Sequence, residues 1–344
     1  MKQLLNTLYL STDGAYLRLD GETVVMTVEK IKKAQVPLHH LGAIVCLGRV
    51  GISPQLMERC MQDGRSVVWL NEHGRFQARV EGPVNGNILL RQAQFRAADR
   101  VETALALSKA FIAGKLRNSR QVLLRSARDS KDDEEKERLV RAAKALAVNL
   151  RNLAQAESAD SVLGLEGDAA RVYFEQFNTM IKPSMRTDFM YKGRSRRPPK
   201  DTVNALISFL YALILNDCRS ALEAVGLDPQ LGFFHVVRPG RPSLALDLLE
   251  EFRAALGDRL ALTLINRGQI QKKDFDFRPG GAVLLNDTGR KAVVVAYQER
   301  KKETLLHPVL EQPVEIGLLP LLQARLLARY LRGDVGAYIP FLNK

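Results

Sequence analysis

The spacing of the apolar residues changes near residue 82, and this change limits the chain to folds with two differently built parts. Before Gly82, apolar and polar residues alternate in short runs such as AYLRLD, TVVMTVE and SVVWLN. Alternation bounded by Gly and Asp turns predicts β-strands. After Gly86, apolar residues recur every three or four positions, which is typical of helices. We therefore predict an α+β protein with a small N-terminal β-sheet domain over 1–82, a linker over 83–86 and a mostly α-helical catalytic domain over 87–344.

Within these domains the sequence predicts three particular elements. A helix over Ser53 to Met61 interrupts the strands of the first domain. In the second domain Asp201 caps a nearly all-apolar helix, which ends around Gly226. The segment 281–298, GAVLLNDTGRKAVVVAYQ, has two apolar runs around a turn and predicts a β-hairpin.

Composition indicates a globular protein with an anionic partner. Lys and Arg number 51 against 38 Asp and Glu, which gives a net charge of +13. The most apolar segment, 203–215, is shorter than the ~20 residues of a membrane span, so no membrane is expected. The three cysteines form no zinc or disulfide pattern, which fits a cytoplasmic protein.

One imidazole and several acids stand close together in FFHVVRPGRPSLALDLLEEFR, residues 233–253. His235 precedes a loop that is too rich in Pro and Gly to be helical. Ser243 is a candidate N-cap for the next helix, where Asp247, Glu250 and Glu251 share a face opposite the leucines. This face is either a solvated acidic surface or part of a metal site.

A second acid lies on an apolar helix face. In LGLEGDAARVYFEQF, residues 163–177, helical spacing places Glu166 among Leu163, Ala170, Tyr173 and Phe174. A carboxylate there is costly unless something pairs with it. Two interpretations stay open: a buried salt bridge to an arginine, or a metal ligand or carboxylate with a raised pKa.

Two loops carry basic residues suited to phosphate contacts. In MRTDFMYKGRSRRPPK, residues 185–200, Phe189 and Tyr191 are interleaved with the basic residues and could stack on an exposed base. A surface loop without a ligand is the alternative. The candidate nucleic-acid-binding residues of the two loops are Arg186, Lys192, Arg194, Arg196, Arg197, Arg238 and Arg241.

If Glu166, His235 and an acid of the 247–251 cluster meet, they would suit Mg²⁺ or Mn²⁺, because oxygen donors favour hard cations. Zinc is less favoured, since no cysteine contributes. In a basic protein such an ion would bind a phosphodiester oxygen. Attack by water would give hydrolysis, and attack by a DNA 3′-hydroxyl would give strand transfer.

Three motifs, taken together, resemble a known family. LGLEGDAARVYF, RRPPKDTVNALISFLYALI and FFHVVRPGRPSLALDLLEEFR, in this order and spacing, resemble the CRISPR-associated endonuclease that acts as the integrase of spacer acquisition. The resemblance continues over nearly the whole chain. It implies a β-rich N-terminal domain joined to a helical catalytic domain.

The resemblance also implies a metal-dependent DNA endonuclease and integrase with a Glu, a His and an acid as metal ligands. Glu166 and His235 match the first two positions. Glu250 is assigned as the third ligand and Asp247 as a neighbouring catalytic acid, with the reverse order as the alternative. The family further implies double-stranded DNA as partner, homodimers formed with the N-terminal domain, and a small CRISPR-associated partner subunit.

Two other functions remain open from the residues. A stand-alone metal-dependent nuclease would hydrolyse DNA or RNA with the same ligands. A non-catalytic nucleic-acid scaffold would need only the positive charge.

Overall fold

The computed structural model describes residues 6–71, 74–82 and 88–343, and the chain forms two compact units. The first unit comprises Met1–Asn85 with Asp287–Glu303, and the second comprises Gly86–Asn286 with Thr304–Lys344. The predicted linker over 83–86 lies outside the described residues. The α+β class with β-sheets first and helices afterwards is confirmed.

Two four-stranded sheets form most of the first unit. Their strands are β1 (Asn6–Leu10), β2 (Ala15–Asp20), β3 (Thr23–Val28), β4 (Ile31–Pro37), β5 (Leu41–Leu47), β6 (Gly51–Ile52), β7 (Ser66–Leu70) and β8 (Phe76–Arg79). One sheet has the order β1-β5-β7-β8 and the other β4-β3-β2-β6. In β2, buried Ala15 and Leu17 alternate with exposed Tyr16 and Arg18, which is the period that the sequence shows.

The one helix predicted inside the first domain is confirmed. Helix α1 (Pro54–Gln62) begins after Ser53, whose hydroxyl accepts a hydrogen bond from the N–H of Leu56 at 3.3 Å. Leu56 and Cys60, one turn apart, are buried against the sheets. The helix therefore covers a sheet face through an apolar stripe.

The other helices are α2 (Ile88–Ala98), α3 (Val101–Asp129), α4 (Asp133–Ala154), α5 (Ala159–Glu175), α6 (Phe177–Met180), α7 (Thr202–Val225), α8 (Ser243–Phe252), α9 (Arg259–Asn266), α10 (Asp287–Lys302) and α11 (Leu319–Arg332). All except α10 belong to the second unit. That unit also has two short antiparallel pairs, β9 (Phe275–Phe277) with β10 (Val283–Leu285) and β11 (Thr304–Leu306) with β12 (Pro313–Glu315). A π-helical segment, Arg253–Asp258, joins α8 to α9.

Helix α7 is the core helix that the sequence predicts. The Asp201 side chain accepts a hydrogen bond from the N–H of Asn204 at 2.7 Å, and Gly226 ends the helix with a left-handed φ of 87°. By length and composition α7 could cross a membrane, but 61% of its most apolar window is buried inside the protein. Its neighbours α8 and α11 pack against it, as expected of a helix inside a bundle.

The predicted hairpin over 281–298 is wrong. Val283–Leu285 forms a strand, but its antiparallel partner is the preceding strand Phe275–Phe277. The chain from Asp287 onward forms helix α10. The run AVVVAY has strand propensity, yet Val293, Val294 and Tyr297 are buried at helical spacing. Helix α10 packs against β1, and Asp287–Glu303 belongs to the first unit, whereas residues 281–286 belong to the second.

Candidate active site

His235 is held in its loop by the buried carboxylate of Asp247. Asp247 accepts hydrogen bonds from the backbone N–H groups of Phe233, Phe234 and His235 at 2.6, 3.1 and 2.9 Å. Its Oδ1 also lies 2.7 Å from His235 Nδ1. The loop approaches α8 closely at Gly232, where a Cβ would lie 2.7 Å from Asp247 Oδ2. Pairing at Nδ1 fixes the imidazole ring and leaves Nε2 for another partner.

Ser243 does not act as the predicted N-cap of α8. It is the first residue of the helix, and its hydroxyl donates to the carbonyl of Val236 at 3.1 Å. The N–H of Leu244 instead donates to the carbonyl of Pro229 at 3.0 Å. The loop that precedes α8 therefore holds the start of the helix through its backbone.

Glu250 lies one turn after Asp247 on α8 and is 3% exposed. Its Oε1 is 3.8 Å from His235 Nε2 and 3.1 Å from an Arg253 terminal nitrogen, and its Oε2 is 2.9 Å from Lys115 Nζ. Burial opposes its ionisation, but Arg253, Lys115 and His235 outweigh burial and lower the pKa of Glu250 to about 2. Glu250 is therefore an anion at neutral pH.

Glu251, the third acid of the predicted cluster, faces the other way. It accepts hydrogen bonds from the Tyr338 hydroxyl, from Gln323 Nε2 at 2.9 Å and from the N–H of Phe341 at 2.6 Å. Burial raises the pKa of Glu251 to about 8, because the neutral donors do not offset the loss of water. The structure therefore brings Asp247 and Glu250 to His235 and separates Glu251 from them.

Glu166 on α5 joins this group through a lysine. Lys115 on α3 forms ion pairs with Glu166 Oε1 and with Glu250 Oε2, so one ammonium contacts both carboxylates. The Glu166 side chain is 19% exposed. Of the two interpretations of Glu166, the structure has a salt bridge, but with a lysine instead of an arginine.

Lys115 is a site residue that the sequence interpretation missed. A signal was present, because Lys115 lies four residues after Phe111 and three before Asn118, on a face of α3 where both are buried. A cation on such a face needs a partner for the same reason that Glu166 does.

The donor set fits a divalent cation, although the described residues contain no group of three or more His, Cys, Asp and Glu side chains already arranged around one point. Lys115 occupies the space between Glu166 and Glu250. Ligands about 2.1 Å from Mg²⁺ lie up to about 4 Å apart. The 3.8 Å between His235 Nε2 and Glu250 Oε1 is within that span. Two carboxylates and one imidazole suit a hard cation such as Mg²⁺ or Mn²⁺.

A cavity of about 850 Å³ adjoins these side chains within the second unit. It is large enough for a ligand the size of a nucleotide. Its lining includes the three candidate ligands and five arginines: Glu166, His235, Glu250, Arg171, Arg194, Arg196, Arg241 and Arg253. The wall is suited to a phosphodiester, since guanidinium groups bind phosphate oxygens in pairs.

The predicted nucleic-acid-binding residues are not equivalent in the structure. Arg186 donates to both carboxylate oxygens of Glu135, at 2.6 and 3.0 Å, and to the carbonyl of Ile181. Its guanidinium therefore has a structural partner within the fold, and its contact with nucleic acid stays a prediction. Arg194 and Arg241 are half-buried at the cavity, whereas the exposed residues of the set are Lys192, Arg196, Arg197 and Arg238.

The two aromatic residues of the 185–200 loop, Phe189 and Tyr191, are buried in the fold. Phe189 is fully buried and packs edge-on against Phe275, with ring centroids 6.0 Å apart. Tyr191 is 9% exposed and stacks on Phe174 at 5.6 Å. The prediction that they stack on DNA is wrong, because Phe189 packs in the core against β9 and Tyr191 packs against α5.

A buried carboxylate at the end of the π-helical segment organises the far wall of the cavity. Asp258 accepts hydrogen bonds from the hydroxyls of Tyr173 and Tyr211, and burial raises its pKa to about 6. The guanidinium carbons of Arg253 and Arg194 lie 5.0 and 5.7 Å from the centroid of the Tyr211 ring. Tyr211 therefore links Asp258 to Arg194 and Arg253.

Comparison with known proteins gives three findings. A family model described as CRISPR associated protein Cas1 matches residues 8–299. A protein from Moorella thermoacetica named CRISPR-associated endonuclease Cas1 1 is 53% identical over 344 residues, which cover 100% of both chains.

The third finding is a likeness to solved structures. A casposase bound to an integration product has a TM-score of 0.82 at 22% identity, covering 97% of this chain and 93% of that chain. A Cas6-RT-Cas1–Cas2 complex has a TM-score of 0.81 at 22% identity, covering 99% of this chain and 36% of that chain. At these identities the two likenesses show a shared fold.

Proposed function

Because the chain belongs to the Cas1 family, we propose that it is a metal-dependent DNA endonuclease and integrase. Its substrates would be short DNA fragments, whose 3′-hydroxyl ends it joins to a CRISPR repeat. One observation carries this proposal: Glu166, His235 and Glu250 converge on a cavity whose wall also holds five arginines. The integration product held by the structurally similar casposase supports the same chemistry.

We assign Glu166, Glu250 and Nε2 of His235 as the groups that would hold Mg²⁺ or Mn²⁺. When bound, the ion would supply Lewis-acid stabilisation of the charge that grows on the attacked phosphate. Asp247 acts as a positioning residue, since its oxygens are already used by three backbone N–H groups and the imidazole. This geometry favours Glu250 over Asp247 as the third ligand.

The arginines of the cavity would bind the DNA backbone on either side of the attacked phosphate. Arg194 is oriented by the hydrogen bond that its guanidinium donates to Asn204 Oδ1 at 2.7 Å. In strand transfer, the 3′ oxygen of the fragment forms a bond to phosphorus and the bond to the repeat's own 3′ oxygen breaks. The proton lost by the attacking hydroxyl is balanced by the one that the leaving oxygen gains.

Integration at two phosphates explains why the partners would be needed. A homodimer provides two cavities at a fixed separation, and a small partner subunit would hold the dimers together. The Cas1–Cas2 complex that shares this fold supports a partner subunit of the Cas2 kind.

The test is a strand-transfer assay with a supercoiled plasmid that carries a repeat, a fragment with a free 3′-hydroxyl, and Mn²⁺. The proposal predicts covalently joined product for the wild type and none for E166A, H235A or E250A. Asp129, exposed at the end of α3 and outside the cavity lining, provides the control D129A, which should retain activity. Retained joining in all three site variants would falsify the proposal.

The same assay separates the alternative functions. A stand-alone nuclease would nick or degrade the plasmid without joining the fragment. A scaffold would bind DNA in a salt-sensitive way but would be indifferent to Mn²⁺ and to E166A.

A further inference from the structure

Lys115 is the residue through which the two acids of the proposed site come together. Its Nζ lies 2.9 Å from Glu250 Oε2 and also forms an ion pair with Glu166 Oε1. The Lys115 side chain is 14% exposed, so water screens these contacts only in part.

Other cations do not substitute for Lys115 at this point. Arg253 contacts Glu250 through the other oxygen, Oε1, at 3.1 Å. Among the described residues, Lys115 is the one cation within salt-bridge distance of Glu166. Without it, the repulsion between Glu166 and Glu250 would be offset by Arg253, which forms an ion pair with Glu250 and not with Glu166.

The Lys115 ammonium lies between the two carboxylates that would also hold a metal ion. A divalent cation shared by Glu166 and Glu250 would be held by the same two carboxylates that now contact Lys115. The ammonium and the ion would compete there, because each is held by these carboxylates at about 3 Å or less, and two cations that close together repel each other.

We propose that Lys115 is an internal counter-ion of the metal site: it holds Glu166 and Glu250 together in the metal-free protein, and a divalent cation must displace it to bind. This inference rests on the proposed function. The apparent metal affinity is then the intrinsic affinity multiplied by the fraction of molecules in which the ammonium is displaced. Once displaced, the flexible lysine stem can turn the ammonium towards the cavity, where a DNA phosphate would lie.

The experiment measures Mn²⁺ binding by isothermal titration calorimetry, with no DNA present and with no reading of activity. K115M, which keeps the length of the side chain and removes its charge, should bind Mn²⁺ at least about tenfold more tightly than the wild type. K115R, which keeps the charge, should not bind more tightly than the wild type. K115A serves as a second neutral variant if K115M does not fold.

A matched control comes from the same helix. Lys109 on α3 donates to the backbone carbonyl of Ala154 at 2.9 Å and contacts no acid of the site. K109M removes the same charge at a distance, so its Mn²⁺ affinity should stay within about twofold of the wild type once salt screens the long-range effect.

Two results would overturn the inference, and they are distinguishable. If E166Q weakens Mn²⁺ binding while K115M and K115A bind as the wild type does or more weakly, Lys115 is no competitor, but the metal site stands. If neither the wild type nor K115M binds Mn²⁺, the metal site itself is wrong, and the role of Lys115 falls with it.

Discussion

The two sides of helix α8 place consecutive acids, Glu250 and Glu251, in opposite electrostatic environments. Both side chains are buried. On the cavity side, Arg253, Lys115 and His235 overcome burial and lower the pKa of Glu250 to about 2. On the other side, burial raises the pKa of Glu251 to about 8, because its partners are uncharged. Burial therefore does not decide whether an acid is ionised, and the charge of its partners does.

A third buried acid, Asp258, lies between these extremes. Burial raises its pKa to about 6, while the hydroxyls of Tyr211 and Tyr173 and the charges of Arg194 and Arg253 act against burial. The order of the three pKa values follows the closeness of the cations. A direct ion pair gives the lowest value, nearby arginines an intermediate one, and neutral donors the highest.

The largest expected effect comes from replacing each of the two acids on α8, Glu250 and Glu251, by glutamine. E250Q should lower the strand-transfer rate by at least about 10³-fold, because it removes a proposed metal ligand and the charge that faces the cavity. E251Q should keep the rate within about tenfold and instead lower the free energy of unfolding by about 1–3 kcal/mol, through its mismatched hydrogen bonds. Equal losses of rate in the two variants would show that the two sides of the helix are not functionally distinct.

The next effect concerns Asp258 and stability against pH. The folded pKa of about 6 is above the ordinary value, so the folded state binds the proton more tightly than the unfolded chain does. The contribution of Asp258 to stability is complete below about pH 4 and is lost as pH rises through 6, by roughly 3 kcal/mol in total.

D258N removes this titration. Relative to the wild type, the variant should therefore be less destabilised at pH 7 than at pH 4.5 in urea unfolding. D129N, which removes an exposed carboxylate at the end of α3, should show little difference between the two pH values. A D258N penalty that does not change with pH would contradict the raised pKa.

The smallest effect is expected at Asp247, on the same side of α8 as Glu250 but without contact to the proposed ion. D247N should weaken Mn²⁺ binding by about 10–100-fold, because the imidazole and its loop lose their anchor. Saturating Mn²⁺ should restore most of the strand-transfer rate, which would separate positioning from ligation. A D247N rate that stays as low as that of E250Q at every Mn²⁺ concentration would make Asp247 a ligand.

Much of the architecture could be predicted from hydrophobic spacing. Strands such as β2, β3 and β7, and the helices α1 and α7, were predicted because local period and capping determine them, as at Ser53 and Asp201. Helix α10 was mistaken for a strand because its valines have β propensity, and only packing in the folded protein selects the helix.

The candidate site was predictable in its residue types and less so in its pairings. Glu166, His235, Asp247 and Glu250 were named from helix faces and from the resemblance. The structure brings them together with Lys115, which is 51 positions before Glu166. A single sequence does not show which of 51 basic residues meets a given acid. For the same reason Arg186 was assigned to DNA, although Glu135 holds it.

The hydrogen bonds from the 233–235 loop to Asp247 join two of the proposed ligands, His235 and Glu250, and leave the third, Glu166, on a separate element. Since Asp247 and Glu250 share α8, and Asp247 fixes the backbone of His235, two of the three ligands form one rigid half-site. Glu166 alone comes from α5, and Lys115 on α3 bridges the halves. A small sliding of α5 along its neighbours would therefore move Glu166 away from the ion and leave His235 and Glu250 in place.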